Sequence, residues 1–270
     1  MSKTLKTRAF FIFTILSAAL IACAVSPTGR KALRLVTDEE VNKMGLDAFA
    51  QIKAKTPVNA DPRLNAFARC VGMSIVAVSG DDTGVASWEV VVFQDETANA
   101  FALPGGKIGV NTGIFRVIKS QEELATVLGH EVGHVIARHG NERVSESMIT
   151  NKITSVVGAF GKDSPFSSIF MGALGMGAQY GIAFPHSRIQ ESEADEIGLG
   201  LMADAGYNPM GAVTFWTNML AAGTPKIPKL LSDHPPTEQR LSDLQKWMVK
   251  AMVQFEQAKT AGRSASCGSL

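Results

Sequence analysis

The chain has 270 residues, enough for one sizeable hydrophobic core or at most two small domains. A composition of 46% hydrophobic and 19% charged residues is that of a globular protein and excludes a disordered or collagen-like chain. The 26 basic and 25 acidic residues nearly cancel, so the chain lacks the electrostatic footprint of a nucleic-acid binder and no such partner is expected.

At the N-terminus Lys3, Lys6 and Arg8 precede an uncharged apolar run from Ala9 to Ile21. A basic start, a short apolar stretch and small residues after it are the marks of a secretory signal over residues 1–22. Leu20-Ile21-Ala22-Cys23 resembles the bacterial lipobox, in which the signal is removed and the cysteine, here Cys23, is acylated. An uncleaved membrane anchor is the alternative, because the uncharged run just reaches spanning length. Either way the remainder lies outside the cytoplasm, and Ala24 after the cysteine resembles the sorting pattern for an outer membrane. With Cys23 lipidated, Cys70 and Cys267 remain as a possible disulfide; a simply buried Cys70 is the other reading.

Residues 23–36, with Pro27 and Gly29, read as a lipidated tether. Thr37-Asp38-Glu39-Glu40 is a capping box opening a helix through Val41, Met44, Phe49 and Ile52. A second helix is expected from about Pro62 to Val78, then a turn over Gly80–Gly84. Trp88–Phe93 is short and β-rich and reads as a buried strand. Pro104-Gly105-Gly106 marks a turn, and Lys107–Asn111 a second strand. Ser120-Gln121-Glu122-Glu123 is a further capping box, from which one strong helix is expected to run to about Ser147.

Between Asp163 and His186 lie 22 residues without an acidic or basic group. Pro165, Gln179 and several glycines make them poor material for an isolated membrane span, and a small-residue helix packed inside the protein is the preferred reading. Further helices are expected over Ser187–Ala205, from Asn208-Pro209 through Leu220, and after Pro235-Pro236 with Leu241, Leu244, Trp247 and Phe255 on one face. Residues 261–270 read as a flexible tail. The sequence shows no internal repeat.

His130-Glu131-Val132-Gly133-His134 falls inside the strongest expected helix. Positions four apart lie about 40° apart around a helix, so both imidazoles leave one face and can share a tetrahedral ion. Glu131 beside them is placed to take a proton from an attacking water. A catalytic zinc wants a third protein ligand, for which spacing leaves His139, His186, Glu191, Glu193, Asp195 and His234 open. On a continuous helix His139 lies about 140° around from His134 and points elsewhere. Glu193 lies between Glu191 and Asp195 and faces away from both, solvated or paired with a basic residue. A zinc-stabilised binding module would need the ligands without Glu131, and a membrane-assembly scaffold would need neither.

These motifs, with Glu191-Ser192-Glu193-Ala194-Asp195, Asp233-His234-Pro235-Pro236, Arg240, Asn99-Ala100-Phe101 and Pro27-Thr28-Gly29-Arg30, together resemble the M-48 peptidase family, the group holding HtpX-type proteases and CAAX prenyl endopeptidases. The resemblance spans about residues 27–240. It implies an α+β, mainly α-helical, zincin-like domain over residues 37–260, with a small sheet and one zinc ion per chain. Glu191 would be the third ligand and Asp195 would orient a zinc-bound histidine. His234 would stabilise the oxyanion or sit on the metal in a latent state, with Arg188 and Arg240 as supports. Gly106, Lys107, Ile108, Gly109 and Val110 would form an edge strand that pairs with the substrate backbone. With no multiple spans evident, the chain resembles the lipid-tethered branch, which implies proteolysis of misfolded or unassembled periplasm-facing envelope proteins.

Overall fold

A computed structural model describes residues 23–80, 84–150, 172–173, 187–221, 230, 234 and 237–268. The signal-like segment and most of the uncharged stretch before His186 lie outside the described residues. Among those described, no helix is long and apolar enough to cross a membrane.

The elements in chain order are β1 (Cys23–Val25), β2 (Lys31–Leu33), α1 (Asp38–Lys55), α2 (Pro62–Ala77), β3 (Glu89–Phe93), β4 (Ala100–Leu103) and β5 (Lys107–Asn111). A 3-10 turn over Thr112–Arg116 leads to α3 (Gln121–Ile136), α4 (His139–Thr150), α5 (Arg188–Asp204), α6 (Met210–Ala221) and α7 (Glu238–Thr260). The helix starts follow their capping chemistry. Thr37 and Glu40 form a reciprocal box at α1, as Ser187 and Gln190 do at α5. Pro62 opens α2 behind the Asp61 cap. At α3 the Ser120 hydroxyl accepts from Glu123 N–H, but the Glu123 carboxylate accepts from Lys119 N–H instead of closing the box.

The main sheet has the order β3-β5-β4, with β5 parallel to β3 and antiparallel to β4. Period-two alternation splits its side chains between two cores. Val92, Ala100, Ala102, Ile108 and Val110 face the larger core, shared with α2, α3 and α5. Phe93, Phe101 and Leu103 face α1, where Phe49 packs edge-on to both phenylalanines. The sheet is thus enclosed between α1 and the helical layer that carries the site.

Three expectations fail here. β4 escaped the sequence reading because Ala-Phe-Ala-Leu carries no β-branched residue; its pairing with β5 makes it a strand. As a consequence β5 is central, and Gly106, Lys107, Ile108, Gly109 and Val110 cannot serve as a free substrate-pairing edge. The helix expected to run to Ser147 breaks at Arg138, which adopts a left-handed φ of 60°. Arg138 caps the turn by N–H donation to Val135 O at 3.0 Å, and its guanidinium Nε reaches Asp38 Oδ2 at 2.6 Å. An amphipathic pattern that continues on both sides of one redirected residue conceals such a break.

Neither terminus of the described chain hangs free. Residues 23–33 form a hairpin in register Cys23↔Leu33, its turn closed by Ser26 N–H donating to Arg30 O at 2.8 Å. The hairpin is followed by contacts to α4, with Leu35 N–H donating to Ser145 Oγ at 2.9 Å and Asn141 Nδ2 to Val36 O at 2.7 Å. The segment read as a tether is therefore part of the folded unit. The supposed flexible tail is pinned as well. Cys267 is bonded to Cys70 on α2, with Cα atoms 5.6 Å apart across a sequence separation of 197. Cys267 N–H also donates to Gln121 Oε1 at 2.9 Å.

Candidate metal centre

The site forms where α3 crosses α5, and small residues set the distance between them. A Cβ built on Gly198 would lie 2.7 Å from backbone atoms of Gly129 and His130, and one on Gly133 would lie 2.8 Å from Ala194 O. Only glycines permit so close a backbone approach. One turn along each helix from this crossing, the α3 imidazoles meet the α5 carboxylates.

His130, His134, Glu191 and His234 are buried and offer ligand atoms that all lie within 4.8 Å of one another. His130 Nε2 and His134 Nε2 are 3.0 Å apart, and each lies 3.4 Å from a Glu191 carboxylate oxygen. The two imidazole nitrogens each face a different Glu191 oxygen, and ligands about 2.0–2.1 Å from a tetrahedral zinc are separated by about 3.3 Å, so the two rings and the carboxylate are close enough to converge on one ion. His234 Nδ1 lies 3.1 Å from His130 Nε2 and 2.9 Å from Glu191 Oε1, at the fourth corner. Glu131 Oε1 is buried without a hydrogen-bond partner among the described residues and faces His234 Nε2 at 3.3 Å. The donor set, its spacing and this orphaned carboxylate oxygen fit zinc with an attacking water beside it.

The surrounding charges are ordered. Asp195 Oδ1 accepts from His130 Nδ1–H at 2.8 Å, so Nε2 is the nitrogen that faces the cluster and would give up its proton to a metal. Arg240 donates to both Asp195 oxygens, at 2.6 and 2.8 Å, to His234 O at 3.2 Å, and pairs with Glu191 Oε2 at 3.0 Å. Its guanidinium lies 4.3 Å over the Trp216 ring. Burial opposes charge on His130, but Glu191 and Asp195 outweigh it and push its pKa up to about 10. Burial likewise acts against the charge of Glu191, yet His234 and His130 hold that carboxyl well below the usual range. Burial raises Glu131 above an ordinary glutamate, against the lowering effect of His234, His130 and a hydrogen bond from the Ala102 backbone.

The structure thus brings His130, Glu131, His134, Glu191, Asp195, His234 and Arg240 together. Arg188 is not among them: it is exposed at the start of α5. One residue read as pointing elsewhere belongs beside it. His139 is fully buried, its Nδ1 2.8 Å from His134 Nδ1 and its Nε2 3.1 Å from Glu193 Oε2. Of the two surroundings expected for Glu193, the structure shows the second: it is buried and paired with a basic residue, Arg30. The turn at Arg138 is what brings His139 back under His134, so no face count on a continuous helix could have found it.

A mainly helical domain with a small sheet, in which an H-E-x-x-H helix faces a glutamate from a second helix, is a zincin-like metallopeptidase domain. Residues 73–248 match the family model described as Peptidase family M48, and the chain belongs to that family. It is 37% identical over 184 residues to the mitochondrial metalloendopeptidase OMA1 of Schizosaccharomyces pombe, covering 67% of this chain and 52% of that protein. The same protein of Saccharomyces cerevisiae is 32% identical over 63% of this chain and 50% of its own. The beta-barrel assembly-enhancing protease of Escherichia coli O157:H7 is 30% identical over 74% of this chain and 42% of that protein. The chain spans about half the length, or less, of these relatives.

Proposed function

We propose that the chain is a zinc-dependent endopeptidase of the bacterial cell envelope, with His130, His134 and Glu191 holding the metal and Glu131 as general base. The observation that carries this is the convergence of two imidazoles and a carboxylate, with ligand atoms within 4.8 Å of one another, beside the buried Glu131. Bound zinc would supply a water with a pKa near about 7 and polarise the scissile carbonyl. Glu131, its proton affinity raised by burial, takes the proton of the attacking water and delivers it to the leaving amine. Asp195 and Arg240 hold His130 and Glu191 in place for this. His234 lies in the fourth ligand position, which favours the latent reading over a standing oxyanion role; it must withdraw before substrate enters.

Substrate backbone is better offered β4 than β5. Residues 100–103 pair on one side only among the described residues, and Ala102 hydrogen-bonds Glu131. The lipobox-like sequence supports removal of residues 1–22 and lipid anchoring at Cys23. It also favours envelope proteins, misfolded or unassembled, as substrates, in keeping with the name of the beta-barrel assembly-enhancing relatives rather than the mitochondrial ones.

The test measures zinc per chain in the purified protein and in Glu191→Ala, together with casein cleavage by wild type and Glu131→Gln. One zinc in wild type, its loss in Glu191→Ala, and a Glu131→Gln protein that keeps zinc but loses turnover by roughly 100-fold or more are expected. Absence of zinc from metal-replete wild type, or near-normal turnover by Glu131→Gln, would end the proposal.

A further inference from the structure

Three side chains behind the metal cluster have no part in the chemistry above, yet they form an unbroken line of polar contacts ending on a ligand. His134 Nδ1 lies 2.8 Å from His139 Nδ1, and His139 Nε2 lies 3.1 Å from Glu193 Oε2. Glu193 Oε2 also accepts from Arg30 Nε at 2.8 Å, and Glu193 Oε1 from Thr28 Oγ1 at 2.5 Å. The other two Arg30 nitrogens grip Glu142 on α4 in a fork, at 2.6 and 2.7 Å. Thr28 and Arg30 sit in and beside the turn of the N-terminal hairpin, more than 160 residues from Glu193 in sequence.

The proton positions follow from donor and acceptor chemistry alone. An ionised carboxylate only accepts, so the hydrogen between His139 and Glu193 is on His139 Nε2. A neutral imidazole then has a bare Nδ1, which must accept, so His134 donates from its own Nδ1. That leaves the His134 Nε2 lone pair directed at the cluster, as Asp195 does for His130. The two histidine ligands are therefore held by unlike devices: a carboxylate directly for His130, and a histidine relaying a carboxylate for His134.

Resting on the zinc site proposed above, we infer that His139 and Glu193 are positioning residues for His134, and that Arg30 makes the N-terminal hairpin part of the metal centre. The chain of contacts selects the His134 tautomer that can bind metal and restrains its ring. Arg30 holds Glu193 aimed at His139 while clamping α4, on which His139 stands. The hairpin is in this way coupled to metal affinity without touching the metal or the substrate.

The experiment uses the full chain. Zinc affinity is measured by competition with a chelating dye for wild type, His139→Phe, His139→Asn, Glu193→Gln and Arg30→Gln. Outer partners of metal-bound histidines typically contribute roughly 10–100-fold in affinity, and His139→Phe is expected to lose that much. His139→Asn, which restores an acceptor near the Nδ1 position, should recover most of it; Glu193→Gln and Arg30→Gln should fall between. Imidazole nitrogen NMR of the wild type supplies a reading that needs no variant to fold, and should show the proton on Nδ1 of His134 and on Nε2 of His139. Unchanged affinity in His139→Phe, equal losses in His139→Asn and His139→Phe, or the opposite tautomers would each overturn the relay while leaving the zinc site standing. A wild type that binds no zinc would instead overturn the site itself, and this role with it.

Discussion

Replacing Gly198 by alanine tests whether the helix crossing sets the geometry of the site. The new methyl would sit 2.7 Å from Gly129 C and His130 N, which are backbone atoms that no rotamer change can move. Ordinary contact begins near 3.4 Å, so α3 and α5 must part by about 0.7 Å at the crossing. Overpacking of this kind typically costs about 1–3 kcal/mol. For a domain of this size that lowers the melting temperature by roughly 2–4 °C per kcal/mol. The larger effect falls on function. Glu191 stands on one helix and both histidines on the other, and a misplacement of about 1 Å can cost about 100-fold in rate. Peptidase assays with zinc titration should therefore show a fall in kcat/KM of roughly 10–100-fold and weaker zinc binding, with a melting temperature lower by roughly 2–12 °C. A variant with wild-type activity and zinc affinity would refute the claim that close crossing of α3 and α5 positions the ligands.

Two further outcomes are expected. Cys267→Ser opens a cross-link that closes a loop of nearly the whole domain, and should cost roughly 2–5 kcal/mol in denaturant unfolding; unchanged stability would mean that the tail contacts alone secure the C-terminus. Burial acts to raise Glu193, but hydrogen bonds from His139, Ser26, Thr28 and Arg30 together hold it below an ordinary glutamate value of 4.5, and Glu142 is lowered against burial chiefly by Arg30. A depressed carboxylate contributes stability that is complete above its unfolded pKa and is lost as pH falls toward its folded one. Wild type should therefore lose stability as pH drops below about 4.5, and Arg30→Gln should lose less over that window. Parallel acid titrations of the two proteins, followed by circular dichroism, would contradict this.

Much of the local structure was legible because it is governed by short-range chemistry. Thr37, Asp61, Ser120, Ser187 and Thr237 each cap the helix they precede, and the hydroxyl or carboxylate that does so is visible in the sequence. His130 and His134 share a face because four residues nearly complete a turn. β4 was missed because four residues without β-branching form a strand only when β5 lies alongside, and that pairing is a tertiary event. The Cys70–Cys267 pairing was open to the cysteine count, but the tail was still read as flexible because its polar composition does not show that the bond pins it.

By itself, then, the sequence determined the helical register of the H-E-x-x-H pair, with Glu131 beside it, and the capped starts of most helices. Each depends on residues within about one helical turn of one another. Only the tertiary structure decided which strand edge faces Glu131, that Arg188 stays in solvent, and that His139, Glu193 and Arg30 stand in line behind His134. Those outcomes depend on one residue turning left-handed at Arg138 and on two helices meeting at Gly129 and Gly198. Contacts made across 100 or more residues leave no period in the chain, because the free energy that selects them comes from packing partners the local sequence does not contain.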